Sequence, residues 1–162
     1  MSTPIRAAVI TASDACALGE REDASGAALV ELLEASGAVV VEKAIFSDEL
    51  EPLVQALRDL AANADINLIL TTGGTGLGPR DNTPEATLRV IEREVPGIAE
   101  AIRAESLKVT PMAMISRGVA GVASGTLIIN FPGSPKAVRE SFAVIKPVLA
   151  HAVDLLAGKT RH

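Results

Sequence analysis

The sequence predicts an α/β fold built on an open, mostly parallel sheet. Two observations carry that expectation. Short apolar runs alternate along the chain with segments whose apolar residues recur at helical spacing, and this alternation is the signature of a parallel α/β sheet. Hydrophobic residues make up 48% of the chain but aromatic residues only 2%, so the core must be Val, Leu, Ile and Ala, which suits strands buried on both faces. At 162 residues, with no linker, repeat or low-complexity block, the chain reads as one domain over residues 1–162.

Residues 5–11 form the first apolar run and the first predicted strand. Ala24, Ala28, Leu29, Leu32 and Leu33 come next at helical spacing, and Gly37 supplies a stop. Residues 38–46 are Val-rich and read as a strand, and Leu50, Leu53, Val54, Leu57 and Leu60 give the next helix. Residues 66–72 are a third strand, trailed by a glycine-rich stretch over 73–82. Thr83 and Pro84 read as N-cap and first helical residue, because proline has no N–H to lose there. That helix is expected to carry Leu88, Ile91 and Val95 before Pro96-Gly97 breaks the chain, with a further helix over 98–107. Residues 110–124 give no clear pattern. Residues 126–131 are a clean apolar strand, and Ser134-Pro135 open a last helix with Val138, Phe142, Ile145, Leu149, Ala152 and Leu156 on one face. Pro147 inside it predicts a kink or a break.

Charge and composition exclude several function classes. The net charge is −5 without a Lys/Arg cluster, so the footprint of nucleic acid or an anionic membrane is missing. The scarcity of aromatics removes a stacking platform for single strands. The one cysteine, Cys16, cannot form an internal disulfide. No apolar run reaches the ~18 residues of a membrane span, and the first residues lack signal-peptide architecture. The expectation is a cytoplasmic protein with neither nucleic acid nor membrane as partner.

In open parallel sheets ligands bind outside the carboxyl ends of the strands, so the chemistry is sought in the loop after each strand. Ser13 and Asp14 come after the first, Ser47, Asp48 and Glu49 after the second, residues 73–84 after the third, and Pro132, Gly133, Ser134, Pro135 and Lys136 after the last. Four glycines in six residues, Gly73, Gly74, Gly76 and Gly78, let backbone N–H groups approach a ligand ahead of a helix N-terminus, which makes an anion site. The bland alternative is a turn that needs positive φ. The spacing is not that of a Walker A loop, because Pro79 and Arg80 stand where Lys and Ser/Thr belong. Asp14, Asp48 and Asp81 all lie just past strand ends, and carboxylates at a phosphate site hold Mg²⁺. Alternatively, Asp48 caps the second helix, and Asp81 pairs with Arg80 or shapes the turn. Ser134 and Lys136 are a phosphate contact or a helix cap and a solvated lysine. No His dyad, metal cluster or nucleophile elbow is visible; His151 and His162 stand alone, Cys16 reads as an incidental thiol, Met112 and Met114 as core filler, and Glu22-Asp23 and residues 92–94 as solvated helix faces.

The string Thr72-Gly73-Gly74-Thr75-Gly76 through Arg80-Asp81-Asn82-Thr83-Pro84-Glu85-Ala86 closely resembles the molybdenum-cofactor biosynthesis family called MogA/MoaB, to which the G domain of gephyrin also belongs. Ser47-Asp48-Glu49, residues 93–97, Ser116-Arg117, residues 128–137 and residues 151–156 extend the resemblance over most of the chain. It implies a three-layer α/β/α domain, commonly trimeric or hexameric, and a molybdopterin adenylyltransferase that moves AMP from Mg-ATP to the molybdopterin phosphate. It further implies hand-over of the product to the molybdenum insertase. Carried onto this chain, Asp48 and Asp81 become the catalytic, metal-holding acids. Ser13, Asp14, Thr72, Gly73, Gly74, Thr75, Gly76, Arg80, Thr83, Pro132, Gly133, Ser134 and Lys136 become the substrate- and nucleotide-binding residues. A non-catalytic molybdopterin carrier, or an enzyme of the same fold acting on another nucleotide, are the competing readings.

Overall fold

The computed structural model describes residues 1–160; His162 and the end of the predicted domain lie outside the described residues. Six strands form one sheet: β1 (Arg6–Ala12), β2 (Val39–Phe46), β3 (Leu68–Thr72), β4 (Arg93–Glu94), β5 (Ala120–Ala123) and β6 (Thr126–Phe131). Between and after them run α1 (Asp14–Ala17), α2 (Ala24–Ala35), α3 (Leu50–Ala62), α4 (Thr83–Val90), α5 (Pro96–Leu107) and α6 (Pro135–Leu156). A short 3₁₀ turn covers Pro111–Ile115. The strand order is β2-β1-β3-β6-β5-β4. β1 pairs in parallel with β2 and β3, and β3 with β6. β5 and β4 complete the sheet antiparallel.

The layering arises from the two-residue period of a strand, which sends successive side chains to opposite faces. Ala7 and Val9 of β1, Leu68 and Leu70 of β3, and Leu127, Ile129 and Phe131 of β6 pack with Leu29 and Leu33 of α2, Ile102 of α5, and Val138, Phe142 and Ile145 of α6. Ala8, Ile10, Ile69 and Ile128 face the other way, onto Leu53 and Leu57 of α3 and Ala86 of α4. Three layers result, α/β/α as expected. β3 and β6 are buried at every residue, which is why they read as unbroken apolar runs.

Several details of the sequence reading are corrected. Asn82, not Thr83, is the N-cap of α4, and Thr83 and Pro84 occupy its first turn, where proline again loses no helical bond. α4 ends at Val90, because Ile91 turns to φ −69°, ψ 143° and Arg93–Glu94 pair with β5. Ile91 and Val95 therefore leave the helix, and residues 92–94 are an edge strand rather than a helix face. Asp23 caps α2 by accepting the Gly26 N–H, accepts the Thr11 hydroxyl at 2.8 Å and lies 3.6 Å from Lys43, so it is an anchored group and not a solvated one. Met112 and Met114 are 64% and 70% exposed, not core filler. α6 continues past Pro147 without a break; Ala143, whose carbonyl loses its helical donor there, is exposed.

Residues 110–124, illegible in the sequence, hold the 3₁₀ turn and β5. Ser124 and Gly125 both have positive φ, 50° and 78°, and join β5 to β6 as a two-residue hairpin of the type such a pair of dihedrals requires.

Candidate functional site

A parallel sheet of order β2-β1-β3 reverses its winding between β1 and β3. The carboxyl ends of those strands diverge there and leave a crevice. In this molecule a cavity of about 440 Å³ opens at that point. Ala12 at the end of β1 and Ser13 after it, Asp48 after β2, Thr72 at the end of β3 with Gly73 and Gly74 after it, Gly133 and Ser134 after β6, and Asp81 line it, with the first turn of α2 at Ala24 and Ser25. The loops are tied to one another. The Ser13 N–H donates to Phe46 O at 3.0 Å and the Gly73 N–H to Phe131 O at 3.2 Å, and the Thr72 hydroxyl donates to Pro132 O at 2.7 Å.

The glycines have two different reasons. Gly73 and Gly74 adopt φ of 91° and 68°, and a Cβ at Gly73 would run into the Ala12 carbonyl oxygen. Gly76 and Gly78 have no such backbone requirement. A Cβ at either would lie 2.9 Å from Asp81 Oδ2. They leave room for the Asp81 carboxylate to fold back, where Oδ2 accepts the Gly78 N–H at 2.9 Å and the Asp81 N–H donates to Gly78 O at 3.0 Å. Gly133 brings its loop close to Gly73: a Cβ there would sit 3.4 Å from Gly73 Cα.

The acids form a chain. Asp48 Oδ2 accepts the Asp14 N–H at 2.9 Å, and Asp14 Oδ1 accepts the Asp48 N–H at 3.0 Å. Arg80 grips Asp14 with two bonds, 2.6 and 3.0 Å; it does not pair with Asp81. The Arg80 guanidinium and the Asp48 N–H together hold the Asp14 carboxyl down at about 2. Burial pushes the Asp48 carboxyl above its ordinary range, and the charges of Asp14 and Asp81 add to the push. Asn82 Nδ2 donates to Asp48 O at 2.8 Å, fixing the second loop to the start of α4.

Asp14, Thr75, Gly76, Arg80, Thr83, Pro132 and Lys136 stand off the cavity lining. Asp14 and Arg80 sit at its rim through Asp48. The Thr83 hydroxyl is buried without a hydrogen-bond partner among the described residues, beneath Gly74, and Lys136 is 78% exposed. Ser13 and Ser134 serve as N-caps, accepting the Cys16 and Ala137 N–H groups at 3.2 Å, while still lining the cavity. Sequence reasoning passed over Arg21, Glu22 and Ser25, which line it too. Their only signal was topological, since the segment after a switch-point strand necessarily borders the crevice.

Arg117 was also passed over as a site residue. Its Nε donates to Gly76 O and its Nη2 to Asp81 O, both at 2.7 Å. Its Nη1 donates to Glu85 Oε1, and its N–H to Thr75 O at 2.8 Å. Burial works to raise the Glu85 carboxyl, but the Arg117 bond and charge leave it below its ordinary range.

The cavity lining offers groups suited to both signs of charge. The first turns of α2 and α6 bring helix N-termini, which favour anions, against the carboxylates Asp48 and Asp81, which favour a cation. Such a split suits a phosphate-bearing ligand. A family model described as a probable molybdopterin binding domain matches residues 8–151. The chain belongs to that family. A molybdopterin adenylyltransferase of Helicobacter pylori is 38% identical over 156 residues, covering 95% of this chain and 89% of that protein. The molybdenum cofactor synthesis protein cinnamon of Drosophila melanogaster is 44% identical over 149 residues, 91% of this chain. This chain spans only a quarter of the length of the fly protein, 25%. Among solved structures, the molybdopterin biosynthesis enzyme MoaB of Thermus thermophilus superposes with a TM-score of 0.89 at 48% identity, covering 96% of this chain and 98% of that one. Family membership fits the geometry: a molybdopterin-binding domain needs a cradle for a phosphate.

Proposed function

We infer that the chain is a molybdopterin adenylyltransferase of molybdenum cofactor biosynthesis. A phosphate oxygen of molybdopterin attacks the α-phosphorus of ATP, the bond from that phosphorus to the bridging oxygen of the β-phosphate breaks, and pyrophosphate leaves with the electron pair. The observation that carries this reading is the cavity at the switch point, whose lining brings Asp48 and Asp81 together with the first turns of α2 and α6. The nucleophile belongs to the substrate, so the protein's task is to position and to balance charge. The N-terminal turns of α2 and α6 and the loop at Gly73-Gly74 receive phosphates, and Ser13, Thr72 and Ser134 supply hydroxyls.

Mg²⁺ fits the donor set. Among the described residues no group of three or more His, Cys, Asp or Glu side chains is arranged to hold an ion, whereas Mg²⁺ characteristically takes one or two carboxylates and completes its shell with water and substrate phosphates. Asp48 and Asp81 would hold it, each through an oxygen not engaged by a neighbouring backbone N–H, and it would neutralise charge on the ATP phosphates. Asp14 and Arg80 hold Asp48 in place. Among the described residues no helix is long and apolar enough to cross a membrane. A homotrimer in the cytoplasm, passing its product to the molybdenum insertase, completes the proposal on the strength of the family resemblance.

Incubation of the purified protein with ATP, Mg²⁺ and molybdopterin tests the reading by its products, pyrophosphate and adenylylated pterin. Asp81→Asn is expected to lower turnover by at least about a hundredfold, the loss typical of one essential electrostatic group, with an unchanged circular dichroism spectrum. Pterin binding without pyrophosphate release would make the chain a carrier instead.

A further inference from the structure

The segment that carries Asp81 has little to hold it by packing. Leu77, Gly78, Pro79 and Arg80 are exposed, and Leu77, the one large apolar side chain among them, is 66% exposed. A loop of this kind opens locally unless polar bonds restrain it. We propose that Arg117 is the positioning residue that sets the glycine-rich loop, and through it Asp81, into its working geometry.

Three features carry the proposal. A single guanidinium reaches two backbone carbonyls on opposite sides of the exposed tip, Gly76 O and Asp81 O, each at 2.7 Å. It therefore fixes the span between them as a staple does. The same side chain ion-pairs with Glu85 in the first turn of α4, joining the loop to the helix after it. Arg117 is itself clamped: Arg103 of α5 donates to Ser116 O at 3.3 Å and Gly118 O at 2.7 Å, one residue to either side. A rigid line thus runs from α5 through residues 116–118 to the loop. Planar, forked donors are what lysine lacks, so charge alone does not replace this arginine. Arg117 does not line the cavity; it acts through Asp81, and this role rests on the adenylyl-transfer reading for its consequence in turnover.

Amide hydrogen exchange and steady-state kinetics on the full chain test it, with Arg117→Met, Arg117→Lys and Glu85→Gln. In Arg117→Met the amides of Gly78 and Asp81 should exchange roughly tenfold faster or more, the loss of bonds from a charged donor, while β3 and β6 keep their protection. The kcat should fall by about tenfold or more with KM for ATP moving less than about threefold, because positioning is felt in the reaction step. Arg117→Lys, with one anchor in place of two, should fall between Met and wild type in both readouts. If the Met variant does not fold, the Lys variant decides the matter by the same measurements. Glu85→Gln keeps both carbonyl bonds and should leave loop exchange within about threefold of wild type. Loop amides that exchange at the wild-type rate in the Arg117 variants, or equally fast in Glu85→Gln and Arg117→Met, would overturn the proposal. A wild-type protein that transfers no adenylyl group would instead overturn the proposed function, and the exchange arm would still decide the role of Arg117.

Discussion

Asp48 is held where its charge is least welcome. Burial and the neighbouring Asp14 and Asp81 raise its carboxyl above the ordinary range, so folding without a bound cation favours its neutral form. A group whose folded pKa is raised contributes stability at low pH that is lost as pH rises through that value; at neutral pH the ionised Asp48 weakens the empty fold. Asp48→Asn removes the charge and keeps an oxygen for the Asp14 N–H. Its melting temperature in metal-free buffer at neutral pH should not fall below that of wild type, while adenylyl transfer is lost. A clear drop in melting temperature would mean that Asp48 is a structural group. Asp14 behaves oppositely. Its carboxyl, held at about 2 by Arg80 and the Asp48 N–H, lies below the unfolded value of about 3.9. The stabilisation is therefore fully present above that unfolded value and is lost as pH falls toward 2. Carboxyl-carbon NMR in metal-free buffer should give a midpoint near 2 for Asp14, and Arg80→Met should move it upward toward the ordinary range without reaching it, since the Asp48 N–H remains.

At the scale of elements, the four glycines after β3 separate into two kinds that one substitution each can tell apart. Gly73→Ala meets both a left-handed backbone, φ 91°, and a carbonyl oxygen of β1 that cannot retreat. It should lower stability by about 2–4 kcal/mol in thermal or denaturant melts. Gly76→Ala meets only the end of the Asp81 side chain, which can swing aside. It should leave the melt within about 1 kcal/mol of wild type and still cost most of the activity, because Asp81 is displaced. Equal destabilisation by both would show that the loop responds as one unit. The sequence disclosed such elements unevenly. β1, β3 and β6 were legible because strands buried on both faces are continuous apolar runs. β4 and β5 were not, because Arg93–Glu94 is two residues long and pairs only through β5; no local period can announce it. The Ser124-Gly125 turn was a readable signal that went unread. The edge on which Asp48 and Asp81 sit could be inferred from strand ends alone. Arg117 could not, since its acceptors lie 36 and 41 residues away and nothing in the spacing links them.

At the scale of the whole molecule, an acidic protein of net charge −5 is asked to receive two phosphate-bearing substrates. The net charge of the chain gives them no long-range attraction. In the proposed reaction the affinity comes from groups inside the cavity, helix N-termini and loop amides, with the cation that Asp48 and Asp81 would hold. Distance separates these two sources of binding. Fields between exposed charges are screened over about 10 Å at 0.1 M salt, whereas contacts at about 3 Å within a cleft are screened far less. A surface that collects phosphates by its own positive charge loses affinity steeply as salt rises. Here the net charge has the sign of the substrates, so screening it should help or be neutral. With free Mg²⁺ held constant, kcat/KM for ATP between about 0.05 and 0.3 M KCl should stay within about twofold or rise. A fall of about tenfold over that range would mean that a cationic surface, and not the cavity between β1 and β3, collects the nucleotide.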